Sequence, residues 1–549
     1  MSPARKRGFF FGANPDDSSL PIELQDSTIE QHDRYNFEVK LDYTLVEDFP
    51  INKYELEVYF FIPSALQVNQ ATYHSEDFYT DLTNYIRFKT PQMALSGLLN
   101  RNNPKSPFAI IYQKLEKIKN GDTSLEHFNR INYELRVLGC ILKSTLRDQA
   151  DLFLKNREIV NANSNPHIFN EFNPVDEGEL EFFDELLEIQ NRFKKLEVDL
   201  QIAQIPLEIQ ETFTFVDKYI NRQIIDHCGK IYLRLFNQEN SDTLYTSDIS
   251  LTSNNTIQTL KKKLIKILDY ESAKFNPLNL KFQTKSHSSN ENIPYWDGIL
   301  KKYVQSVLYL STKPSKEKSK TLQLLYSLAA GFAMFISILL GFWVVDNFAS
   351  NTYAYITLLI VVYMLKDRFK EWIRQGSHKF MNKFFPDRKF LIFDTIHERK
   401  IGISKESVRF LHFSQIPQDI INIRERGSKI SIERGGKPEV VYKYVKLVEL
   451  KTDKITEFHE RNRDVNDIIR FNIKRFLQYA DDPETTEINW DPKSKQIKKV
   501  KCIKVYHLNV IFRLREISSK NPLSPLYYKK IRVILDQFGI RRVTERKVV

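Results

Sequence analysis

The chain has 549 residues, of which 42% are hydrophobic and 27% charged, so it is long enough for two or three globular domains. Its three cysteines, Cys140, Cys228 and Cys502, lie far apart, which argues against a disulfide framework and fits a reducing compartment. The sequence contains no P-loop, GxGxxG, HExxH or GxSxG motif. We therefore expect no cofactor or metal, and the sequence favours a non-enzymatic role without excluding a dispersed active site.

The N-terminal part of the chain predicts a tail followed by two strands. Residues 1–33 are polar and contain Ser, Pro and Asp, which is typical of a flexible tail. Apolar and polar residues alternate without a break over 35–45, and a second alternation covers 54–62. A period of two indicates half-buried strands, and we expect the two strands to pair as an antiparallel β-hairpin.

A helical period replaces the alternation after about residue 78. Thr123 and Glu126 form a capping-box pattern at the start of a helix predicted to reach about residue 159. Further helices are predicted at 179–202, 206–236, 257–270 and 296–310. Residues 34–312 are therefore predicted to form a mainly helical cytoplasmic domain that begins with the β-hairpin.

Two uncharged runs dominate the middle of the chain, at 322–345 and 348–365. As helices they would extend about 36 Å and 27 Å, close to the roughly 30 Å thickness of a hydrocarbon core. We expect a two-helix transmembrane hairpin with a short polar turn. Residues 313–321 form a charged linker before it, and 366–386 predict an amphipathic stalk that continues the second helix.

The first uncharged run carries a small residue at every fourth position. The members of this stripe are Ala329, Ala333, Ser337 and Gly341. Small residues let helices approach closely in lipid, where no hydrophobic effect drives them together. We expect the stripe to be a packing face, either within the hairpin or in a homo-oligomer formed through the first transmembrane helix.

Residues 388–549 predict a basic α+β domain with an antiparallel sheet. Strand patterns cover 440–450, 499–515 and 527–535, and a helix is predicted at 465–479 with Asp464 as its cap. His397 to Lys400 (HERK) predicts a charged turn and not a zinc motif. The predicted fold class is thus an α+β membrane protein with two soluble domains on either side of the hairpin in sequence.

The net charge of +12 is distributed unevenly along the chain. Residues 366–549 carry a net charge of +18, whereas 1–365 carry −6. The residues predicted to contact an anionic membrane surface are Lys313, Lys316, Lys318, Lys320, Lys366, Arg368, Lys370, Arg470, Lys474, Arg475, Lys498, Lys499 and Lys501. The lysines that flank the hairpin predict both termini in the cytoplasm, in a plasma membrane or a bacterial inner membrane.

The sequence leaves three functions open. The first is a membrane-anchored interaction or scaffolding protein whose partners are anionic lipid and an unidentified protein. The second is a membrane-tethered enzyme with a dispersed, motif-free active site. The third is nucleic-acid binding through basic and aromatic residues such as Tyr442-Lys443-Tyr444 and Tyr527 to Lys530. Strand alternation separates these residue types onto opposite faces, so the third is the weakest and no nucleic-acid partner is expected.

Overall fold

The computed structural model describes most of the chain. Its described residues are 22–23, 27–46, 48–163, 177–203, 205–236, 251–274, 290–315, 317–347, 353–426, 439–457, 459, 461, 464–492, 495–517 and 525–546. Lys316 and much of the predicted tail 1–33 lie outside them, as do residues 348–352 of the second uncharged run. Two short strands lie inside the predicted tail, at 22–23 and 27–31.

Twelve α-helices occur in the described residues. They are α1 (Ser75–Asp81), α2 (Leu95–Leu99), α3 (Pro107–Lys119), α4 (Leu125–Asn163), α5 (Glu177–Ile202), α6 (Leu207–Phe236), α7 (Leu251–Lys274), α8 (Asn292–Gln305), α9 (Glu317–Asn347), α10 (Tyr353–Phe384), α11 (Gln418–Glu425) and α12 (Thr452–Thr456). The long predicted helices of the N-terminal half are present within a few residues of their expected bounds. Helix α10 continues unbroken from the second uncharged run to Phe384.

The described strands number fifteen. They are β1 (Ile22–Glu23), β2 (Ser27–Gln31), β3 (Asn36–Tyr43), β4 (Ile51–Pro63), β5 (Leu82–Phe88), β6 (Leu310–Pro314), β7 (Arg388–Asp394), β8 (Arg399–Leu411), β9 (Glu439–Lys451), β10 (Val465–Asn472), β11 (Glu484–Asp491), β12 (Gln496–Ile503), β13 (Tyr506–Ile517), β14 (Leu526–Asp536) and β15 (Gly539–Arg546). The α+β class with antiparallel sheets is therefore confirmed.

Nine strands form the larger sheet, in the order β1-β14-β13-β4-β9-β8-β7-β6, with β15 also paired to β14. A four-stranded sheet has the order β2-β3-β10-β5, and β11 and β12 form a separate pair. All pairings are antiparallel except β1 with β14. Both larger sheets contribute to one hydrophobic core that also includes the buried faces of the long helices.

The predicted pairing of β3 with β4 is wrong, because the two strands lie in different sheets. β3 pairs with β2 and β10, and β4 pairs with β13 and β9. The two strands face each other across the core, where the rings of Tyr43 and Tyr54 stack with centroids 3.3 Å apart. The apolar faces that suggested a hairpin instead bury each other between two layers.

Two predictions in the C-terminal part are also wrong. The helix expected at 465–479 is strand β10 followed by a single 3-10 turn. Val465, Ile469 and Phe471 are buried at alternate positions, and the buried Asp467 between them conceals the period of two. The single strand expected at 499–515 is two strands, β12 and β13, separated at residues 504–505.

The sheets also join the two predicted soluble domains. β4 lies between β9 and β13 in the larger sheet, and β10 lies between β3 and β5 in the smaller one. Residues 34–312 and 388–549 therefore do not form separate sheets. A fragment that begins at residue 388 would lack β4, the strand between two of its own strands, so it is not expected to fold alone.

Candidate functional site

Helices α9 and α10 leave the larger sheet at its edge. The chain passes from Pro314 at the end of β6 into α9, and from the end of α10 to Arg388 at the start of β7. β6 and β7 are antiparallel neighbours, with Pro314 opposite Phe390. Both ends of the helix pair are thus attached to adjacent strands, which fixes the base of the pair on the sheet.

Helix α9 exposes most of its apolar side chains. Within the described residues, it alone is long and apolar enough to cross a membrane, over Gln323–Asn347 with a mean hydropathy of 2.3, and 17% of its most apolar stretch is buried. Leu328 is 62% exposed, Phe342 64% and Trp343 54%. A core helix of a water-soluble domain usually buries such residues, and the described residues leave this surface of α9 exposed.

Helix α9 packs against α10, and each member of the small-residue stripe is less exposed than the apolar residue that follows it on α9. Ala329 is 3% exposed and Ala333 1%, while Ser337 and Gly341 are half-buried. A Cβ added at Gly341 would meet no atom of the described residues within 4 Å. Among the described residues, the two alanines are therefore the most enclosed members of the stripe.

One contact between the two helices shows which residues of α9 and α10 lie at the same level along the pair. The guanidinium of Arg374 lies over the ring of Tyr326, 5.4 Å from its centroid, and Lys366 lies 4.0 Å from the centroid of Tyr363. Tyr326 is thus level with Arg374, eleven residues or about 16 Å along α10 from Tyr363. The charged part of α10 accordingly runs beside the first turns of the uncharged run in α9.

We expect Ala333→Leu to destabilise the packing of α9 on α10, because three added carbons have no room at a position that is 1% exposed. Overpacking of this kind costs about 1–3 kcal/mol. The measurement is the thermal stability of the detergent-solubilised protein. Gly341→Leu is the matched control, since no atom of the described residues lies within 4 Å of its added Cβ and the transition should change little. Equal effects of the two substitutions would contradict the packing assignment.

The predicted membrane-surface residues divide into exposed and paired groups. Lys313 and Lys320 are exposed near the base of the helix pair, and the side chain of Lys318 is outside the described residues. Arg368 and Lys370 are exposed and Lys366 is half-buried, but these three residues lie partway along α10 and not at its base. The residues predicted on the supposed helix 465–479 belong instead to β10 and the turn after it. Arg470 pairs with Glu38, and Arg475 with Asp77 and Asp81, while Lys474 is exposed.

Lys498, Lys499 and Lys501 lie on an exposed β-hairpin formed by β11 and β12. Trp490 is opposite Ile497 in this hairpin, and they are 55% and 67% exposed. The hairpin leads through Ile503 into β13. The registers of the larger sheet place the start of β13 at the same end as the start of β7, where α10 arrives. The exposed β11–β12 hairpin and the helix pair α9–α10 therefore leave the sheet at one end.

A polar cavity of about 140 Å³ lies between the two sheets, close to the base of the helix pair. Its lining includes Asn84, Arg388, Ser404, Glu406 and Lys446. The Ser404 hydroxyl and the Asn84 side-chain oxygen have no hydrogen-bond partner among the described residues. Burial raises the pKa of Glu406 although Lys446 opposes this. The cavity is large and polar enough for several water molecules or a small polar ligand.

Another candidate site is a cluster of two histidines around one aspartate. Asp394 is the last residue of β7, His397 lies in the turn before β8, and His459 follows α12. Asp394 Oδ2 is 2.6 Å from His397 Nδ1 and 2.8 Å from His459 Nε2. Burial alone would raise the pKa of Asp394, but the hydrogen bonds from the two histidines outweigh it and hold the pKa well below its usual value.

The chain matches no known protein family, no curated protein and no solved structure. The site residues must therefore be judged on their geometry. Sequence inspection correctly predicted a turn at His397 but missed its neighbour His459, which is 62 residues further along the chain. The available signal was the Asp394-x-x-His397 spacing, which places two ligand-type side chains on one turn.

Proposed function

We propose that the protein is an integral membrane protein in which α9 and α10 form a transmembrane hairpin. The sheets and helical body lie together on the cytoplasmic side and act as an interaction or scaffolding unit. The observation that carries the proposal is the exposed apolar surface of α9, attached at its base to β6. A bilayer is the solvent in which such a surface is stable.

The distribution of charge supports a defined orientation. Lys313 and Lys320 precede the hairpin and Lys366 follows the uncharged part of α10, while residues 321–365 contain no Lys or Arg. The tip carries Asp346 and Asn347, both exposed. Polar residues at the tip are stable in the far headgroup region and costly in the middle of the bilayer, which favours a full crossing by α9.

The β11–β12 hairpin is proposed as a second contact with the same membrane. Trp490 and Ile497 would enter the interface, with Lys499 and Lys501 on the same face of the hairpin meeting anionic headgroups at a gain on the order of 1 kcal/mol each. Lys501 would give up Glu484 for this contact, whereas Lys498 is on the opposite face and pairs with Asp491. Nucleic-acid binding is not supported at the Tyr442-Lys443-Tyr444 segment. Tyr442 and Tyr444 are buried in the core, where no base can stack on them.

The experiment that tests the anchor is extraction of membranes from cells that express the full-length protein. We expect it to stay with the membrane in high salt and in alkaline carbonate and to be released by detergent. Basic contacts alone would be broken by salt, because screening weakens exposed charges. Release by salt or carbonate would contradict a transmembrane hairpin.

A second candidate function is supported by the cavity between the sheets. A membrane-tethered enzyme or ligand carrier would use the converging Glu406, Lys446 and Ser404 around a small polar molecule. Native mass spectrometry of the gently extracted protein distinguishes the candidates. A small molecule that is bound to the wild type and absent from Ser404→Val would favour this second function.

A further inference from the structure

We infer that Asp394, His397 and His459 form a binding site for one divalent transition-metal ion, with Zn²⁺ the best match to its ligands. The donor atoms are a carboxylate oxygen and two imidazole nitrogens, the set used by two-histidine, one-carboxylate metal centres. All three lie within 4.8 Å of one another. The site is independent of the proposed membrane anchor.

The geometry requires little rearrangement to hold an ion. Zinc–nitrogen and zinc–oxygen bonds of about 2.0–2.2 Å place neighbouring donor atoms about 3.3 Å apart in a tetrahedral site. The present distances from Asp394 Oδ2 to the two nitrogens are 2.6 and 2.8 Å. Each imidazole needs to move outward by less than about 1 Å to admit the ion.

The surrounding groups orient the three ligands. The other carboxylate oxygen of Asp394 accepts a hydrogen bond from the Ile396 amide at 3.1 Å, which leaves Oδ2 directed at the histidines. Tyr133 Oη is 3.3 Å from His459 Nδ1, and the ring of Phe88 packs 4.2 Å from that of His459. Metal-binding histidines commonly have such a partner on the second ring nitrogen, because it fixes the tautomer and the ring orientation.

Charge balance also favours a cation at this point. Asp394 is 4% exposed, and the side chains of His397 and His459 and the Ile396 amide lie within hydrogen-bond distance of its carboxylate. A buried carboxylate is normally paired with a positive charge or a metal. His397 is half-buried, so the ion has a route from solvent and a side on which water can complete its coordination.

The test is calorimetric titration of the untagged, full-length, detergent-solubilised protein with Zn²⁺ after treatment with a chelator, with Co²⁺ absorption as a second readout. We expect one tight site per chain. His397→Ala should weaken the affinity by about 100-fold or more and abolish the visible Co²⁺ bands. His32→Ala, a half-exposed histidine remote in sequence from this cluster, is the matched control and should bind like the wild type.

Thermal stability separates loss of binding from loss of folding. Zn²⁺ should raise the melting temperature of the wild type and not that of His397→Ala, whose side chain is partly exposed and should not be needed for folding. His397→Gln keeps a polar side chain of similar size and provides a second variant. Unchanged Zn²⁺ affinity in both variants, or no tight site in the wild type, would show that the cluster is a hydrogen-bonding network only.

Discussion

Replacing Lys446 with methionine is expected to lower the free energy of unfolding by about 3–5 kcal/mol. Lys446 is on β9 and pairs with Asp467 on β10, so the ion pair connects the two sheets. Its Nζ–Oδ1 distance is 2.7 Å, and both residues are completely buried. Removal of the lysine would leave the buried Asp467 without its ion-pair partner, and Arg388 would be the remaining cation near the adjacent Glu406. Chemical denaturation of the solubilised protein measures the effect.

The pH dependence of this variant gives an independent check. Burial raises the pKa of Asp467 and of Glu406, and Lys446 opposes both shifts. Carboxyls whose pKa is raised on folding hold protons longer in the folded state. Their contribution to the free energy of unfolding is therefore complete below their pKa of about 4 in the unfolded chain. It is lost as the pH rises through their higher pKa in the folded protein. Lys446→Met removes the opposing charge, so its stability should fall more steeply than that of the wild type as the pH rises.

Two further variants control this prediction. Lys405→Met removes a partly exposed lysine that is 2.9 Å from Glu449 in the same sheet, and it should cost at most about 1 kcal/mol. The double variant Lys446→Met/Asp467→Leu should recover at least half of the loss, since an apolar pair can replace a buried ion pair. If Lys446→Met were as stable as the wild type, the ion pair between Lys446 and Asp467 would not be buried between the sheets.

Aspartate on the outer face of α9 is expected to release the protein from membranes. Phe335 and Leu339 are 57% and 52% exposed and lie in the middle of the uncharged run. An aspartate at the centre of a transmembrane helix costs about 2.5–3.5 kcal/mol, and the apolar side chain that it replaces is lost as well. Together, Phe335→Asp and Leu339→Asp should therefore cost about 6–8 kcal/mol of insertion energy.

The readout is the fraction of protein that remains in the membrane pellet after alkaline carbonate. We expect nearly complete retention for the wild type and little for the double aspartate variant. Tyr295→Asp is the control, because Tyr295 is 64% exposed but lies on α8, outside the helix pair. Retention of the double variant at the level of Tyr295→Asp would mean that the outer face of α9 does not contact lipid.

The local sequence pattern located the helices and strands of this fold better than it predicted which strands pair with each other. The alternation in β3, β4, β9 and β14 and the helical periods of α4 to α6 were sufficient to locate them. The insertion of β4 between β9 and β13 was not predictable, because pairing over such separations depends on which apolar faces bury each other and not on any local period. β10 was misassigned because Asp467 is buried only through its pairing with Lys446, a contact that no local pattern contains.

The candidate sites also differ in whether the sequence alone reveals them. The helix pair and its flanking lysines are contiguous in sequence and visible in composition alone. Lys446, Asp467 and Glu406 meet only after β9, β10 and β8 are placed together, and His459 meets Asp394 only after α12 is positioned beside the turn at His397. Sites assembled from separate elements carry no fixed spacing, so motif searches do not find them.

The most direct test of the account is the accessibility of a cysteine placed at Asn347 in sealed cells. Cys140 and Cys228 are buried and inert, so replacing Cys502 with serine gives a suitable background. A membrane-impermeant thiol reagent should label Asn347→Cys in intact cells and label Lys320→Cys only after permeabilisation. Labelling of both positions only after permeabilisation, or of Lys320→Cys alone in intact cells, would contradict a hairpin that crosses the membrane with both termini in the cytoplasm.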